Sequence, residues 1–326
     1  MPVARFTDTI RNYKGDSTSA PCLKVYTTTP NPVSSKPMTL SRKIAAGMII
    51  LTHIYGLLGV YQMFMMPGFL GFKCFIGVLT MYIVTGTLGV SAGVHRLWSH
   101  RSYKAKWPAR VIMMLMNTIA NQSSIYHWSV EHRVHHLHAD TDADPYNINR
   151  GFFWCHMGWL FTPRTDAYIE ARKLVDDSDL RADPIVMFQD RYYLPLSLLM
   201  CFALPTAVFG YLLGGAYWEA FCIFGTFRWC VALHVTWCIN SVAHTWGYRP
   251  YQPNEKAAEN MIFGMVSGGE GWHNYHHAFP WDYAAAEADN KFRYNLAKFW
   301  IDSFAALGWA SDRKVQHNVV KYPCAA

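Results

Sequence analysis

Residues 69–100 read FLGFKCFIGVLTMYIVTGTLGVSAGVHRLWSH, an apolar stretch from Phe69 to Val94 that runs straight into His95 and His100. About 20 mostly apolar residues suffice to cross a bilayer as a helix. Imidazole nitrogen is a good ligand for iron, copper, zinc and nickel. One segment thus joins a membrane span to metal-binding chemistry, and the rest of the chain repeats both themes.

Three further apolar runs, roughly Ile44 to Met66, Tyr193 to Gly214 and Tyr217 to Ile239, are of similar length. The first two runs in chain order are separated only by a turn at Pro67-Gly68, and the last two only by Gly214-Gly215-Ala216. Connections this short make antiparallel hairpins. Hydrophobic residues form 52% of the 326 and charged residues only 16%, below the quarter usual for soluble domains. Four buried helices of a soluble core are therefore the poorer reading. The expected fold class is an all-α integral membrane protein, with four transmembrane helices in two hairpins under a helical cytosolic cap that holds a di-metal site.

Neither hairpin turn carries Lys or Arg. Arg5, Arg11, Lys14, Lys24, Lys36, Arg42 and Lys43 lie before or at the start of the first run, and Arg96, Arg101, Lys104, Lys106, Arg110 and Arg133 follow the second. The positive-inside rule then puts both termini and the middle segment in the cytosol. The expected organisation is a cytosolic N-terminal tail over 1–41, a first hairpin over 42–94, cap over 95–192, a second hairpin over 193–240 and further cap over 241–326. The net charge of +7 follows mostly from this asymmetry and suits an anionic membrane surface or an acidic partner. The basic residues are dispersed, so no nucleic-acid partner is expected. The first 40 residues are polar and rich in Thr, Ser and Pro, so a partly flexible tail and no signal peptide are expected there. The eight cysteines form no C-x-x-C pair, so reduced thiols are expected.

The histidines fall into three clusters: His95 and His100; His132, His135 and His136; His273, His276 and His277. These are more than one mononuclear site takes, since such sites use about four protein ligands or fewer. Two metal ions are the natural reading. Positions i, i+3 and i+4 share a helix face. Each triple is therefore expected to point at one place, on one side of a two-metal site. His95 and His100 are five apart, about 140° round a straight helix, and share a centre only if the helix bends or ends between them. His244 stands near the same mouth, four residues after Asn240 on one helical face. We expect His244 as a ligand and Asn240 as one acting through water. His53, His127, His138, His156, His234 and His317 read as structural, hydrogen-bonded histidines. Glu131, Asp144, Glu270 and Asp282 are placed to accept the second N–H of a metal-bound imidazole.

A histidine-only site at the edge of an apolar bundle suits the difficult oxidation of an apolar substrate. Zinc would imply hydrolysis or structure, and the H-E-x-x-H pattern of zinc proteases is absent. No G-x-G-x-x-G element, no C-x-x-C-H haem attachment and no His-Pro-Gly-Gly haem-domain signature occurs. Reducing equivalents are therefore expected from a separate protein, which the basic cytosolic face would dock.

From about Arg42 onward the chain resembles the membrane-bound acyl-CoA desaturases of animals, and among them the insect members. The resemblance rests on Ala92-Gly-Val-His-Arg-Leu-Trp-Ser-His-Arg-Ser-Tyr-Lys-Ala105, Glu131-His-Arg-Val-His-His136, Asp144-Pro, Arg150-Gly-Phe-Phe153, Asn240-Ser-Val-Ala-His244, Gly269-Glu-Gly-Trp-His-Asn-Tyr-His-His277 and Phe279-Pro-Trp-Asp-Tyr283. It implies a mushroom-shaped helical protein of the endoplasmic reticulum membrane, acting on acyl-CoA with O2. It implies two iron ions (Fe2+) held by His95, His100, His132, His135, His136, His244, His273, His276 and His277, with Asn240 acting through water. It implies electrons from cytochrome b5 and NADH-cytochrome b5 reductase, and a bent acyl tunnel. By motif match, Gln122, Trp128, Thr236 and Trp237 would line the kink, Ile83 and Thr87 the far end, and Arg164 would take phosphate.

The chain also departs from the family pattern. Relatives usually carry Arg-Asp where Val130-Glu131 stand here, and that Arg contacts the CoA. They usually carry Lys where Leu137 stands and Phe where Trp272 stands. Ile83 is smaller than the Tyr at the matching site of stearoyl-CoA desaturase, so more room is expected beyond the kink. A fatty-acyl hydroxylase or conjugase on the same scaffold is the nearest alternative. A membrane metal transporter is a more distant one, because transporters place ligands near mid-membrane on broken helices.

Overall fold

The structure, a computed structural model, describes residues 28, 30, 33, 37–287 and 294–322. Most of the expected tail, with Cys22 and Cys324, lies outside the described residues. In chain order the elements that position the site are α1 (Leu40–Met65), α2 (Leu70–Ser99), α3 (Trp107–Ala120), α4 (Ile125–His138), α5 (Tyr193–Leu212), α6 (Tyr217–Ser241), α7 (His273–Ala278) and α8 (Leu296–Ala306).

Helices α1, α2, α5 and α6 are each long and apolar enough to cross a membrane. They form the two expected hairpins. The first turns through Gly68 at φ +55°, where a side chain would be strained. Half of the apolar stretch of α2 and 61% of that of α6 is buried, against 22% for α1 and for α5, so α2 and α6 are the inner pair. Their ends lie beyond the expected ones, Val94 and Ile239. α2 runs on to Ser99 and α6 to Ser241, because the amides past Val94 stay paired within the helix; His100 N donates to the His95 carbonyl at 3.1 Å. The first cluster thus begins on the helix itself rather than on a loop after it.

A buried cation ties the inner pair to its surroundings. Arg228 of α6 donates to the carbonyls of Phe224 at 2.9 Å, Ile119 at 3.1 Å and Cys201 at 3.1 Å. A guanidinium inside a span is tolerated only when satisfied in this way.

Two helices of the cap seat the end of α2. A Cβ on Gly89 would fall 2.3 Å from Asn117 N, so only glycine lets α2 and α3 meet backbone to backbone. Helix α3 then turns sharply at Asn121, at φ +54°. Ser124 opens α4, its Oγ accepting from His127 N at 3.3 Å, as an N-cap should. On the far face of α4 the buried Arg133 donates to the carbonyls of Trp98 at 2.6 Å and Ser99 at 3.1 Å. These are orphan acceptors at the end of α2, and capping them locks α4 to α2. Helix α8 and a two-stranded ribbon, Lys104–Ala105 against Ala310–Ser311, close the cap. Between them lies a core that includes Leu88, Met113, Ile125, Val130, Ile301 and Phe304.

Candidate metal centre

All nine expected histidines come together, in two buried groups. His95, His100, His132, His136 and His276 form one, and His135, His244, His273 and His277 the other; within each group one nitrogen per ring lies within 4.8 Å of all the others.

Each triple is divided between the groups, which corrects the expectation that it would point at one place. The reason is helical geometry. Positions i and i+4 are about 40° apart, whereas i+3 falls about 60° to the other side. In α4 the i,i+4 pair His132 and His136 serves the five-histidine group, while His135 swings into the other. In α7 the i,i+4 pair His273 and His277 serves the four-histidine group, while His276 crosses over. Each helix thus gives a pair to one group and a single ring to its neighbour, so the two groups are one interlocked unit.

His95 and His100 meet for a different reason. From Thr85 to Ser99, α2 is wound with i→i+5 hydrogen bonds, and His100 sits at its very end. This wider turn brings residues five apart to one side. The ring centroids of His95 and His100 are 4.8 Å apart. The condition read from the spacing, that the helix bend or end between them, is met by the winding and by the terminus.

Carboxylates set the ring orientations. Glu270 lies 3.2 Å from His95 Nδ1, Asp144 2.9 Å from His135 Nδ1 and Asp140 3.1 Å from His244 Nδ1. A carboxylate on Nδ1 fixes the tautomer and leaves the Nε2 lone pair free. Of the four carboxylates expected here, Asp144 and Glu270 act in this way. Asp282 instead accepts from the Tyr275 hydroxyl at 2.8 Å and Gln316 N at 2.8 Å, bracing the back of α7. Glu131 pairs with Arg164. Sequence reasoning missed Asp140, although it opens the acidic stretch Asp140-Thr-Asp-Ala-Asp144 just after the second cluster.

The donor set fits a metal. The Nε2 atoms of His95 and His136 both lie 2.9 Å from His276 Nε2, and those of His244 and His277 lie 3.0 and 3.1 Å from His273 Nε2. Burial, reinforced by the neighbouring imidazoles and by arginines beside His100, holds His100, His132, His136, His273, His276 and His277 well below the ordinary histidine range. These rings are held neutral, and the carboxylates on Nδ1 of His95 and His244 leave their Nε2 lone pairs facing His276 and His273, which suits a divalent cation.

Both groups face a cavity of about 580 Å³. His95 and His132 from one group and His135 and His273 from the other stand in its wall. So do Gln122, Trp128, Thr236, Trp237, Arg164 and Asn240, alongside apolar residues such as Met48, Ile49 and Leu233. Thr236 Oγ1 donates to Gln122 Oε1 at 3.0 Å, and Trp128 stacks on His132 with centroids 4.7 Å apart. Arg164 lies over Trp159 and Tyr168, at 4.7 and 4.6 Å from the ring centroids, and burial brings its guanidinium down to about 9. Ile83 and Thr87 are not in the cavity wall, which meets α2 at Val90 and Ser91. They lie farther along the same helix, where Thr87 Oγ1 accepts from Trp300 Nε1 at 2.9 Å. The six histidines expected to be structural lie outside both groups.

Comparison with known proteins agrees with this geometry. The family model for fatty acid desaturases matches residues 74–300. The chain is 46% identical over 267 residues to an acyl-CoA Delta-9 desaturase of Acheta domesticus, covering 82% of this chain and 73% of that one. It is 45% identical over 266 residues to stearoyl-CoA desaturase 2 of Mus musculus, again covering 82% and 73%. With a matched family model over most of its length and relatives of this similarity, the chain belongs to the fatty acid desaturase family.

Proposed function

We propose that this protein is an O2-dependent acyl-CoA desaturase that inserts a double bond into a fatty acyl chain held in the cavity. The observation that carries the reading is that both histidine groups open onto one largely apolar cavity. An acyl chain lying there passes within reach of both.

Two irons are the occupants that the chemistry asks for. His95, His100, His132, His136 and His276 would hold one, and His135, His244, His273 and His277 the other. The second group has one ring fewer, and Asn240, which lines the same cavity as His135 and His273, would complete it through water. When bound, the irons supply the oxidising power that an unactivated methylene demands. Overall, O2, two electrons and two protons become water as two hydrogens leave adjacent carbons. The chain's own residues bind, orient and exclude water. Glu270, Asp140 and Asp144 hold the imidazoles in register. Trp128 and Trp237 wall the bend with Gln122 and Thr236, whose hydrogen bond satisfies both polar groups in an otherwise apolar place. Val90 and Ser91 are where α2 meets the acyl chain in this cavity, and Ile83 and Thr87, outside its wall, are given no part in holding it. Arg164, with Arg42 in the same wall, is the cation for the CoA phosphates. The electrons come from cytochrome b5 and its NADH-dependent reductase, in the endoplasmic reticulum membrane, with both termini in the cytosol.

Expression in yeast lacking its own desaturase, with mass spectrometry of the derivatised fatty acids, tests this reading. A new monoene is expected. Hydroxylated chains in its place would overturn it, as would purified protein that holds no iron.

A further inference from the structure

Three of the histidines outside the metal groups form a chain of their own. His53 of α1, His234 of α6 and His156 of the short helix Phe152–His156 come from distant parts of the sequence. His53 Nε2 lies 3.0 Å from His234 Nε2, and His234 Nδ1 lies 2.9 Å from His156 Nε2. At one end His53 Nδ1 is 2.6 Å from the Ile49 carbonyl. At the other, His156 Nδ1 is 2.9 Å from Ser241 Oγ.

The order of protons follows from the Ile49 end. A carbonyl only accepts, so His53 Nδ1 carries the hydrogen. With all rings neutral, His53 Nε2 then accepts from His234 Nε2–H and His234 Nδ1 accepts from His156 Nε2–H, leaving His156 Nδ1 as an acceptor 2.9 Å from Ser241 Oγ, whose hydroxyl also lies 3.0 Å from the Trp237 carbonyl. One tautomer per ring, assigned from this network, satisfies the contacts from the Ile49 carbonyl to His156 Nε2, and the single Ser241 hydrogen is shared between His156 Nδ1 and the Trp237 carbonyl. The contacts use opposite nitrogens of His234, so the lone pairs do not converge as they do in the metal groups.

The chain wraps one side chain of the cavity wall. The Trp237 indole lies 5.1 Å from the His234 ring at 77°, 5.8 Å from His156 at 78°, and 6.3 Å from His53, nearly parallel at 8°. Trp237 is buried. Ile49, whose carbonyl ends the chain, is in the same wall. Three polar rings at the level of the spans would be costly unpaired, and pairing them in sequence fixes the plane of each. The indole is therefore held on several sides by rings that cannot turn independently.

We infer that the His53–His234–His156 chain is a specificity-determining brace, which fixes the Trp237 indole and thereby selects the carbon pair that is oxidised. The inference rests on the reading of the cavity as the acyl site. Displacements of about 1 Å already matter at a catalytic site, and they are comparable to the advance of an acyl chain by one carbon.

The test compares wild type, His234→Leu, His156→Leu and His234→Gln in the same yeast strain, with double-bond positions and iron content measured. Leucine removes donor and acceptor; glutamine keeps one of each. The leucine variants are expected to raise the ratio of minor to major positional isomer by about tenfold while keeping their iron, and the glutamine variant to stay near wild type. Should a ring variant fail to accumulate, Ser241→Ala, which removes only the terminal hydroxyl, carries the same expectation with a smaller shift. Unchanged isomer ratios in the accumulating variants would overturn the brace, as would a glutamine variant shifted as far as leucine. Wild type making no monoene would overturn the acyl reading together with it, whereas monoene with an unmoved bond removes the brace alone.

Discussion

His95 Nδ1 lies 3.2 Å from the Glu270 carboxylate, whose other oxygen takes Arg96 Nη2 at 2.6 Å. Consecutive residues of α2 thus hold one carboxylate, and that carboxylate orients a ring of the five-histidine group. Glu270→Gln keeps the shape and removes the charge. Loss of such a partner weakens metal affinity by about 10–100-fold. The variant is expected to fold, to lose iron from the five-histidine group first on dialysis against a chelator, and to lose turnover in step. Iron measured by plasma mass spectrometry beside monoene yield checks this; full occupancy after dialysis would speak against the role.

Asp140 does the matching work for the other group, at 3.1 Å from His244 Nδ1. It is itself held from behind, because Asp140 N donates to Asp144 Oδ2 at 2.8 Å, and Asp144 orients His135. The two carboxylates therefore act as a unit. Asp140→Asn and Asp144→Asn are expected to lower iron content toward one per chain, and the double variant to lose little beyond the worse single one. Additive losses would show that the two act independently.

The contrast between Asp140 and Glu270 shows where the sequence is legible. Glu270 stands three residues before His273, so proximity marks it. Asp140 reaches His244, 104 positions away, and no local pattern announces that contact. The four spans were readable because a bilayer demands long apolar runs. Eight of the nine histidines are readable because they fall in three short clusters, and His244 because it stands at the end of a span. The division of His135 from His132 and His136 is only half legible: the spacing sets the i+3 ring apart from the i,i+4 pair, but that a second group stands on that side depends on how α4 and α7 face each other. The spacing of His95 and His100 sets only a condition for their union, because the wide winding of α2 after Thr85 leaves no simple mark in residue type. The chain of His53, His156 and His234 was invisible for the same reason as Asp140: its members meet only in the fold.

Arg133, which caps α2, is itself held by Asp179 at 2.7 Å, and Asp179 also takes Arg101 at 2.7 Å. Burial pushes the Asp179 carboxyl up, but the hydrogen bonds and charges of Arg133 and Arg101 outweigh it and hold it at about 2. A free carboxyl titrates near 3.9. A depressed carboxyl stabilises the folded state fully above that value and loses its contribution as pH falls from about 4 through about 2. A third of this side chain is exposed, so solvent screening leaves about 1–2 kcal/mol. Asp179→Asn should therefore melt a few degrees below wild type at pH 7. The gap should narrow as pH falls below 4, in detergent-solubilised protein followed by fluorescence. A gap independent of pH would assign the loss to packing.

Glu131 and Arg164 form a half-buried ion pair in the cavity wall, at a place where relatives of the resembled family usually carry Asp and Lys. A guanidinium already paired inside the protein is a weaker phosphate ligand than a free one, because binding must exchange one anion for another. The pair also stacks through Arg164 on Trp159 and Tyr168, so truncating the arginine removes packing as well as charge. Separating the two effects needs both partners. Arg164→Met keeps the stem and removes the cation, and should raise KM for acyl-CoA several-fold with kcat nearly unchanged, the pattern of lost uniform binding. Glu131→Gln leaves the guanidinium unneutralised and should move KM the other way. Initial rates in microsomes across acyl-CoA concentration give both constants. If both substitutions raise KM together, the pair supports the wall of the cavity rather than its grip on phosphate, and the cation for CoA lies elsewhere on this face.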